Sequence, residues 1–496
     1  MPKVLIANRG EIACRVIRAC RELGLGTVAV YSDADRNARH VWLADEAVRL
    51  GPPPSKDSYL RGDLVLAACK STGATLLHPG YGFLSENHIF REECEAAGVT
   101  FIGPGAYAMK QMGVKTTARQ TMHAAGVPVV PGSLEPLATL EEAQKLCEEI
   151  GYPVMLKAAF GGGGRGIRIL HAPEELPAGF EGAQREAGAY FGDATVYIEK
   201  AIINPRHIEI QVLADTFGNT IHLFERECSV QRRNQKIIEE SPAAHLSQAT
   251  RLKMGEMAVR AAKAVQYVGA GTIECLVDAN ENFYFMEMNT RLQVEHPVTE
   301  LATGVDLVYE QLRVAMGEKL SVTQADIVQR GHAIECRIYA EDPSRGFTPA
   351  PGPLLVYRPP MGPGLRVDDG FGEGDEIPRF YDSMIAKLSA WSPDRPRTIA
   401  RMQSALDRYE IAGFAHNIEH LQQVLGSEKF QVGPYDTGLV GTLPPLRTTP
   451  DDDVLASAFA AIWTHRGCDP RAARGPARAD HQTGTAGRGH ARAADV

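Results

Sequence analysis

VLIANRGEIACRVIRACRELGLGTVAVY, residues 4–31, is the stretch that decides the fold of the chain. Residues 4–8 and residues 27–31 are short apolar runs typical of buried strands. Between these runs, over residues 11–23, apolar side chains recur at helical spacing: Ile12, Val16, Ile17, Cys20 and Leu23. A strand, a helix and a second strand in this order predict a βαβ unit that opens a parallel sheet.

The turn between the first strand and the helix is Asn8-Arg9-Gly10-Glu11. It lacks the Gly-x-Gly-x-x-Gly pattern that lets a dinucleotide pyrophosphate approach the backbone. A second strand-to-loop step, LLHPGYGFLSEN at residues 76–87, follows in the same region, and its glycines permit a tight turn. We therefore expect a domain that is Rossmann-like in shape but does not bind NAD.

The composition is that of an ordinary globular protein. With 496 residues, the chain is long enough for roughly three domains with an active site between them. Hydrophobic residues at 44% and charged residues at 23% argue against the disordered, fibrous and membrane classes. A formal charge of −9 gives no general attraction to nucleic acid or to anionic membrane. An anionic ligand therefore needs a local cationic site.

The sequence also bears on the compartment. No segment approaches the roughly 20 apolar residues that span a bilayer, and the N-terminus passes into a strand pattern without a signal-peptide region. The nine cysteines are scattered without a Cys-x-x-Cys pair, so neither a zinc site nor a disulfide framework is indicated. We expect small, reduced core cysteines in a cytoplasmic protein.

A glycine run in the middle of the chain is a candidate phosphate site. Residues 153–158 and 167–170 are strand-like, and GGGGRG at residues 161–166 joins them into a predicted hairpin with a flexible tip. The run has no Lys-Ser/Thr after it, so it is not a Walker P-loop. Its backbone N–H groups and the nearby Lys157 suit phosphate oxygens. A plain disordered hairpin tip is the alternative.

Polar residues on three further strands point toward a cleft. Residues 207–212 alternate strictly, which places His207, Glu209 and Gln211 on one face and core residues on the other. Glu274 and Glu287 lie in two strongly apolar strands, and Asn289 shares a face with Glu287. Carboxylate and amide oxygens of this kind suit Mg²⁺, which also keeps phosphate oxygens and water as ligands.

The loop TRLQVEHP, residues 290–297, follows directly and predicts a cup for a small oxyanion. Arg291 can grip a planar anion with two hydrogen bonds, and Glu295 can act on that anion as a base. The charged stretch QRRNQK at residues 231–236 has a solvated surface face as its alternative reading. From about Gly331 the chain becomes strand-rich, with a helix near residues 397–406.

These motifs resemble those of the biotin carboxylases, the ATP-grasp components of biotin-dependent carboxylases. The resemblance runs to about Leu446 and rests on four stretches: residues 7–13, 78–87, 231–236 and 287–297. It implies an α/β and α+β chain with a Rossmann-like N-terminal domain, a central ATP-grasp domain with a mobile glycine-rich lid, and a strand-rich C-terminal domain. We place these domains at 1–112, 113–330 (lid about 131–203) and 331–446, with an extension at 447–496 that is disordered from about 466.

The resemblance also implies individual residue roles. The residues implied to bind ATP are Lys115, Lys157, Gly163, Gly164, Glu199, Lys200, Ala201, Ile202, His207, Gln231, Asn234, Glu274, Leu276 and Glu287. The implied metal ligands for Mg²⁺ or Mn²⁺ are Glu274, Glu287 and Asn289. The implied bicarbonate and biotin pocket contains Lys236, Arg291, Gln293, Val294 and Arg337. Catalysis is implied for Lys236, Arg291, Glu295 as the base that deprotonates bicarbonate, and Arg337 as the cation facing the biotin enolate.

The implied reaction is ATP-dependent carboxylation of biotin with bicarbonate, through carboxyphosphate, as the first half-reaction of an acyl-CoA carboxylase. The implied partners are a biotin carboxyl carrier protein or domain, a carboxyltransferase and a second copy of the chain. Acetyl-CoA and propionyl-CoA are the leading final acceptors. AMKQM at residues 108–112 resembles the motif around a biotinylated lysine, but Gln111 interrupts it and its context is helical. Biotin is therefore expected on another chain or domain.

Three positions depart from the family pattern: Val114 where many relatives have Asp, Phe160 where some have Gly, and Asn234 where some have His. Two other functions stay open at this stage. One is another ATP-grasp ligase that forms an acyl phosphate, since the lid and metal residues serve it equally. The other is a nucleotide-sensing protein without turnover, for which the changes at Val114 and Asn234 are the hints.

Overall fold

The computed structural model describes residues 2–158, 167–191 and 196–446 of the chain. Gly163 and Gly164, with Phe160, lie outside the described residues, as does the whole predicted extension at 447–496. The chain divides after Leu446, so the account that follows concerns the unit that ends there.

The N-terminal region contains a five-stranded parallel sheet with the order β3-β2-β1-β4-β5. Its strands are β1 (Lys3–Ile6), β2 (Gly26–Ser32), β3 (Glu46–Gly51), β4 (Leu76–His78) and β5 (Thr100–Phe101). Its helices are α1 (Gly10–Glu22), α2 (Arg39–Leu43), α3 (Gly62–Thr72), α4 (His88–Ala96) and α5 (Ala106–Gly113). β1 pairs in parallel with both β2 and β4, so the predicted βαβ unit is confirmed. Lys110 of the biotinylation-like motif lies in helix α5, as its predicted helical context required.

A side chain connects the loops at the carboxyl ends of β1 and β4, where open α/β sheets usually bind ligands. Asn8 Nδ2 donates to the carbonyl oxygens of Pro79 and Tyr81 at 2.7 and 2.8 Å. Gly80 has a positive φ of 63°, and a Cβ there would lie 2.7 Å from Asn8 Nδ2. The sheet has a Rossmann-like shape, and Asn8 connects the loop after β1 to the loop after β4. The absence of NAD binding stays a prediction.

A second, eight-stranded antiparallel sheet carries the candidate site. Its order is β13-β12-β9-β10-β11-β14-β21-β19. The first five are β9 (Arg206–Ala214), β10 (Thr220–Arg232), β11 (Gln235–Ser241), β12 (Gly269–Val277) and β13 (Phe283–Asn289). The others are β14 (His332–Tyr339), β19 (Leu365–Asp369) and β21 (Met384–Ser392). β11 pairs directly with β14, so the sheet continues across the domain boundary predicted at residue 330.

A small three-stranded sheet, β7-β6-β8, forms the region predicted as the lid. It contains β6 (Val154–Ala158), β7 (Ile167–Leu170) and β8 (Val196–Lys200), with helices α7 (Leu140–Ile150) and α8 (Leu176–Phe191). β6 and β7 are antiparallel, as the predicted hairpin requires. The helices that accompany the large sheet are α6 (Lys115–Ala124), α9 (Gln248–Ala264), α10 (His296–Thr303) and α11 (Leu307–Ala315).

The C-terminal region completes the described residues with short strands and three helices. The strands are β15 (Glu341–Asp342), β16 (Thr348–Pro349), β17 (Gly352–Pro353), β18 (Val356–Arg358), β20 (Glu376–Ile377) and β22 (Glu410–Ala412). The helices are α12 (Arg395–Asp407), α13 (Ile418–Gly426) and α14 (Glu428–Val432). The parallel N-terminal sheet and the large antiparallel sheet together confirm the predicted α/β and α+β class.

The two faces of β9 divide as the alternation predicts. Ile208, Ile210 and Val212 are fully buried in a core cluster that includes side chains of α9. The opposite face carries His207, Glu209 and Gln211, which are also buried but lie among polar groups. Eight cysteines, all buried and free, lie in the described residues, which confirms their predicted core role. In the same residues, no helix is long and apolar enough to cross a membrane.

Candidate active site

A cleft of about 1270 Å³ lies over the polar face of the large sheet. The predicted site residues that line it are Lys115, Lys157, Glu199, His207, Gln231, Asn234, Lys236, Glu274, Leu276, Glu287, Asn289, Arg291, Gln293, Val294, Glu295 and Arg337. Loops of the N-terminal region also line it, including Tyr81. The structure thus brings together residues more than 200 positions apart in the chain.

Three predicted nucleotide contacts do not line this cleft: Lys200, Ala201 and Ile202. Lys200 Nζ donates to the carbonyl oxygens of Gly151 and Tyr152 at 3.1 and 2.8 Å. Ala201 is buried, and its N–H donates to the carbonyl oxygen of Pro153. In this conformation, Lys200 and Ala201 are bonded to the α7–β6 connection, and the roles of all three residues toward ATP remain predictions.

A row of charged side chains crosses the sheet beneath the cleft. Glu287 on β13 is in register with Glu274 on β12, which is in register with Glu209 on β9. Glu209 in turn faces Arg226 on β10. Because side chains directly opposite one another on a sheet are near neighbours, strand register alone collects these charges in one place.

Lys236 is the centre of this charge cluster. Its ammonium nitrogen lies 2.7 Å from Glu209 Oε2, 2.9 Å from Glu274 Oε1 and 2.8 Å from Glu295 Oε1. Burial lowers the pKa of Lys236, but the three carboxylates outweigh burial and hold that pKa well above its ordinary value. Lys236 is therefore a fixed positive charge whose three hydrogen bonds link three strands and one loop.

Glu295 is fully buried and is bonded on both carboxylate oxygens. Oε1 accepts from Lys236, and Oε2 accepts from Arg337 Nη2 at 3.0 Å. Burial raises the pKa of Glu295, but Lys236, Arg337 and Arg226 together lower it well below its ordinary value. Glu295 is thus ionised at neutral pH, and its two cationic partners make it a weak base for as long as both are bonded to it.

Arg337 on β14 is shared between two carboxylates. Besides Glu295, its Nε donates to Glu239 Oε1 at 2.6 Å. Burial raises the pKa of Glu239 to about 7, and Glu239 Oε2 has no hydrogen-bond partner among the described residues. The guanidinium is buried at the floor of the cleft, where a charge developing on a ligand meets little solvent screening.

The loop predicted to cup an anion, residues 290–295, is ordered by its own hydrogen bonds. Arg291 Nη1 donates to Gln293 Oε1 at 2.9 Å, and Arg291 Nη2 donates to Asn289 Oδ1 at 3.0 Å. The amides of Gln293 and Asn289 each donate to Glu274 Oε1, at 2.9 and 2.8 Å. Lys236, Gln293 and Asn289 therefore meet around the Glu274 carboxylate, and Arg291 binds the oxygens of both amides.

The residues predicted to hold a divalent cation fit that role. Glu287 is partly buried, and its carboxylate makes no hydrogen bond or ion pair with another described residue. Burial and the adjacent Glu274 carboxylate raise the pKa of Glu287. A cation between the two carboxylates would relieve this repulsion, and Asn289 would add an amide oxygen, a ligand type that Mg²⁺ accepts. Nearby Lys236 already neutralises Glu274 on its other side.

Two of the lysines predicted to bind ATP line the cleft. Lys115 begins helix α6 and is exposed, while Lys157 at the end of β6 pairs with Glu199 on β8. Arg119 binds Glu199 as well. His207 Nε2 lies 3.0 Å from Glu274 Oε2, and its Nδ1 lies 2.9 Å from Gln231 Nε2.

Asn234 has a backbone reason for its identity. Arg232 and Gln235 pair across β10 and β11, so Arg233 and Asn234 form a two-residue hairpin turn. Both turn residues have positive φ, 50° and 65°. A turn of this type favours asparagine, which tolerates left-handed backbone better than most residues. The departure at Asn234 therefore preserves the turn that carries this part of the cleft.

Several residues of the site were not assigned roles from the sequence. Arg226 is fully buried and binds Glu209, Gln211, Thr299 and Thr272. Tyr81 donates to Glu11 at the N-terminal side of the cleft. The sequence features that could have indicated these roles are a charged residue within a strand pattern, for Arg226, and an aromatic residue between two glycines, for Tyr81.

Family comparisons match three consecutive parts of the chain. Residues 1–109 match the model described as "Biotin carboxylase, N-terminal domain". Residues 114–323 match "Carbamoyl-phosphate synthase L chain, ATP binding domain". Residues 335–442 match "Biotin carboxylase C-terminal domain".

Similar proteins include curated relatives and solved structures. A biotin carboxylase of Nostoc sp. is 54% identical over 438 residues, covering 88% of this chain and 98% of the relative. A propionyl-CoA carboxylase alpha chain of Ruegeria pomeroyi is 50% identical over 503 residues, covering 97% of this chain and 74% of the relative. A biotin carboxylase domain dimer from the 2-oxoglutarate carboxylase of Hydrogenobacter thermophilus, solved with MgADP, ADP and bicarbonate, has a TM-score of 0.81, 49% identity and coverage of 88% and 97%.

Proposed function

Since this chain belongs to the biotin carboxylase family of ATP-dependent ligases, we propose that its cleft carboxylates carrier-bound biotin through carboxyphosphate. ATP-dependent carboxylation of biotin is the activity of the family. The finer steps below are proposed from the placement of side chains. The observation that supports them best is the convergence of Lys236 and Arg337 on the Glu295 carboxylate, with Arg291 lining the same cleft.

Bicarbonate binds in this proposal at the loop of residues 290–295. Lys236 and Arg291 supply the positive charge, and Gln293 supplies an amide within the same pocket. The loop is held before the ligand arrives, so little conformational entropy is lost when bicarbonate binds. Val294 contributes to the pocket wall.

Glu295 acts as the base in the first step. A bound bicarbonate competes with Glu295 for Lys236, and loss of that partner raises the basicity of the carboxylate. Bicarbonate gives its proton to Glu295 as one of its oxygens attacks the γ-phosphorus of ATP. The bond from that phosphorus to the β-phosphate oxygen breaks, and the products are ADP and carboxyphosphate.

Arg337 acts in the second step. Carboxyphosphate breaks its carbon–oxygen bond and releases CO₂ and phosphate beside the biotin ring. The ureido N–H proton passes to that phosphate, and the nitrogen attacks CO₂. Negative charge develops on the ureido oxygen meanwhile, and the buried Arg337 guanidinium stabilises it.

Glu274, Glu287 and Asn289 would hold Mg²⁺ or Mn²⁺ together with oxygens of the triphosphate. When bound, the metal neutralises charge on the transferring phosphoryl group. Lys115 and Lys157 reach the same end of the cleft and bind phosphate oxygens. The Lys157 ammonium has three donors, and only one of them is used for Glu199.

The wider setting of the reaction is also proposed. The chain acts in the cytoplasm with a biotin carboxyl carrier and a carboxyltransferase, and it forms a homodimer. The final acceptor is an acyl-CoA, with acetyl-CoA and propionyl-CoA as the leading options. The similarity to a propionyl-CoA carboxylase alpha chain supports this class of acceptor.

Release of ADP, measured with and without bicarbonate and free biotin, tests the function. We expect ADP release to require bicarbonate and to increase when biotin is added, with carboxybiotin as a product. ADP release that needs a different carboxylic acid would identify another acyl-phosphate ligase. Tight ATP binding without any turnover would identify a nucleotide sensor. Either result would overturn the proposal.

A further inference from the structure

Two residues distant in the sequence bind the loop of residues 290–295, one near each of its ends. One attachment comes from Glu86 in the N-terminal region, and the other comes from Lys387 on β21. Neither residue contributes a side chain to the anion pocket itself, because neither lines the cleft. Their contacts therefore bear on the position of the loop.

Glu86 binds the beginning of the loop with both carboxylate oxygens. Oε1 accepts from the backbone N–H of Thr290 at 3.0 Å, and Oε2 accepts from Arg291 Nε at 3.0 Å. Thr290 is buried, so its N–H needs this acceptor. Arg291 uses its other nitrogens for Asn289 and Gln293. Glu86 thus helps to hold the Arg291 guanidinium in one orientation.

Lys387 on β21 binds the end of the loop from the same face of the sheet as Arg337. It is fully buried, and its Nζ donates to the carbonyl oxygen of Val294 at 2.7 Å. The same ammonium lies 3.3 Å from Glu11 Oε1 at the start of helix α1. In strand register, Lys387 faces Arg337 on one side and Asp368 on the other.

The direction of the Val294 carbonyl also sets the direction of the Glu295 N–H, because the two belong to one planar peptide group. In a trans peptide unit the N–H points opposite to the C=O, so a carbonyl held by Lys387 turns the N–H of Glu295 away from β21. The same hydrogen bond restrains the backbone from which the Glu295 side chain reaches Lys236 and Arg337. Lys387 therefore acts on the base and the pocket through the backbone.

We propose that Glu86 and Lys387 are positioning residues that hold the anion loop at its two ends. This inference rests on the proposed role of residues 291–295 in binding bicarbonate. In this inference, the N-terminal region and strand β21 affect the affinity for bicarbonate through the loop, and neither Glu86 nor Lys387 contacts the ligand.

The test measures KM for bicarbonate and KM for ATP in Glu86→Gln, Glu86→Ala and Lys387→Met. A loose loop binds bicarbonate less well, so we expect KM for bicarbonate to rise roughly 10-fold in Glu86→Gln and more in Glu86→Ala, which also loses the acceptor for Thr290. We expect a rise of roughly 10- to 100-fold in Lys387→Met. KM for ATP should stay within about twofold of wild type in all three.

Matched controls separate loop positioning from general damage. Glu95→Gln breaks a surface ion pair with Arg91 on the neighbouring helix α4. Ser389→Ala removes a hydroxyl on the same face of β21, bonded to Glu335. Both controls should keep the KM for bicarbonate. A structural defect alone would lower the active fraction, and hence kcat, without changing either KM.

The outcomes distinguish this inference from the proposed function. Wild-type ADP release that does not depend on bicarbonate would remove the proposed function. Bicarbonate dependence in wild type with an unchanged KM in Glu86→Ala and Lys387→Met would overturn the positioning role alone. If Lys387→Met does not fold, the comparison is made between Glu11→Gln and Glu11→Gln/Lys387→Met, since Glu11→Gln removes the carboxylate left unpaired. An equal KM in that pair would overturn the part assigned to Lys387.

Discussion

The two ends of the cleft differ in how completely their charges are satisfied. At the proposed bicarbonate end, Lys236 and Arg337 both bind Glu295, and all three side chains are nearly fully enclosed. At the proposed nucleotide end, Lys115 is exposed and the Lys157 side chain is 37% exposed. Side chains held in place before a ligand binds can act on a transition state, whereas mobile cations first have to be ordered by the ligand.

This difference implies that substitutions at the two ends have different kinetic signatures. Loss of a fixed group at the bicarbonate end removes an interaction used in the chemical steps, so kcat should fall. Loss of an exposed lysine removes one contact to ATP, so KM for ATP should rise. The following predictions test this contrast, from the largest expected effect to the smallest.

Glu295→Gln should have the largest effect. It keeps the shape of the side chain but removes the base, so bicarbonate-dependent ATP cleavage should fall by about 10²- to 10⁴-fold. ADP release at saturating ATP and bicarbonate measures this loss. Glu225→Gln is the control, because Glu225 is also fully buried on the same sheet but binds Arg251 and does not line the cleft. Similar losses in both variants would contradict a specific role.

Arg337→Gln should act on the second step. Biotin carboxylation should fall by roughly 10²- to 10³-fold, as for other groups that stabilise a developing oxyanion. The slow ATP cleavage that occurs without biotin should be retained better than in Glu295→Gln. Measuring both reactions in both variants tests the division. Equal losses in the two assays would leave only a general role in holding the site together.

Glu287→Gln should change the metal dependence more than the fold. The carboxylate lacks a protein partner among the described residues, so its removal costs little stability. We expect half-maximal activity to require roughly 10- to 100-fold more Mg²⁺, because one of two carboxylate ligands is lost. A magnesium titration of activity beside a thermal melt measures both quantities. An unchanged titration curve would argue against the metal site.

Lys157→Met should have the smallest effect of the four on kcat. We expect KM for ATP to rise roughly 10-fold, since one charge-assisted contact to phosphate is lost, with KM for bicarbonate unchanged. Lys145→Met, an exposed lysine on helix α7 of the same region, is the matched control. A large fall in kcat with no change in KM for ATP in Lys157→Met would contradict the proposed kinetic difference between the two ends of the cleft.

Much of the fold was predictable because its determinants are local. The apolar spacing over residues 11–23 predicted helix α1, and strict alternation over residues 207–212 predicted the two faces of β9. The hairpin of β6 and β7 followed from two strand patterns around a glycine run. The continuity of the large sheet past residue 330 was not predicted, because pairing of β11 with β14 joins strands about 90 residues apart.

The sequence by itself determined which chemical groups the protein carries and, through its motifs, the family to which it belongs. Only the tertiary structure decided which of those groups meet. Lys236 and Glu295 are 59 residues apart, Lys387 and Val294 are 93 apart, and Glu86 and Arg291 are 205 apart. Periodicity reports the face of an element on which a side chain lies. Contacts between elements depend on register and on packing between distant segments, which no local pattern encodes.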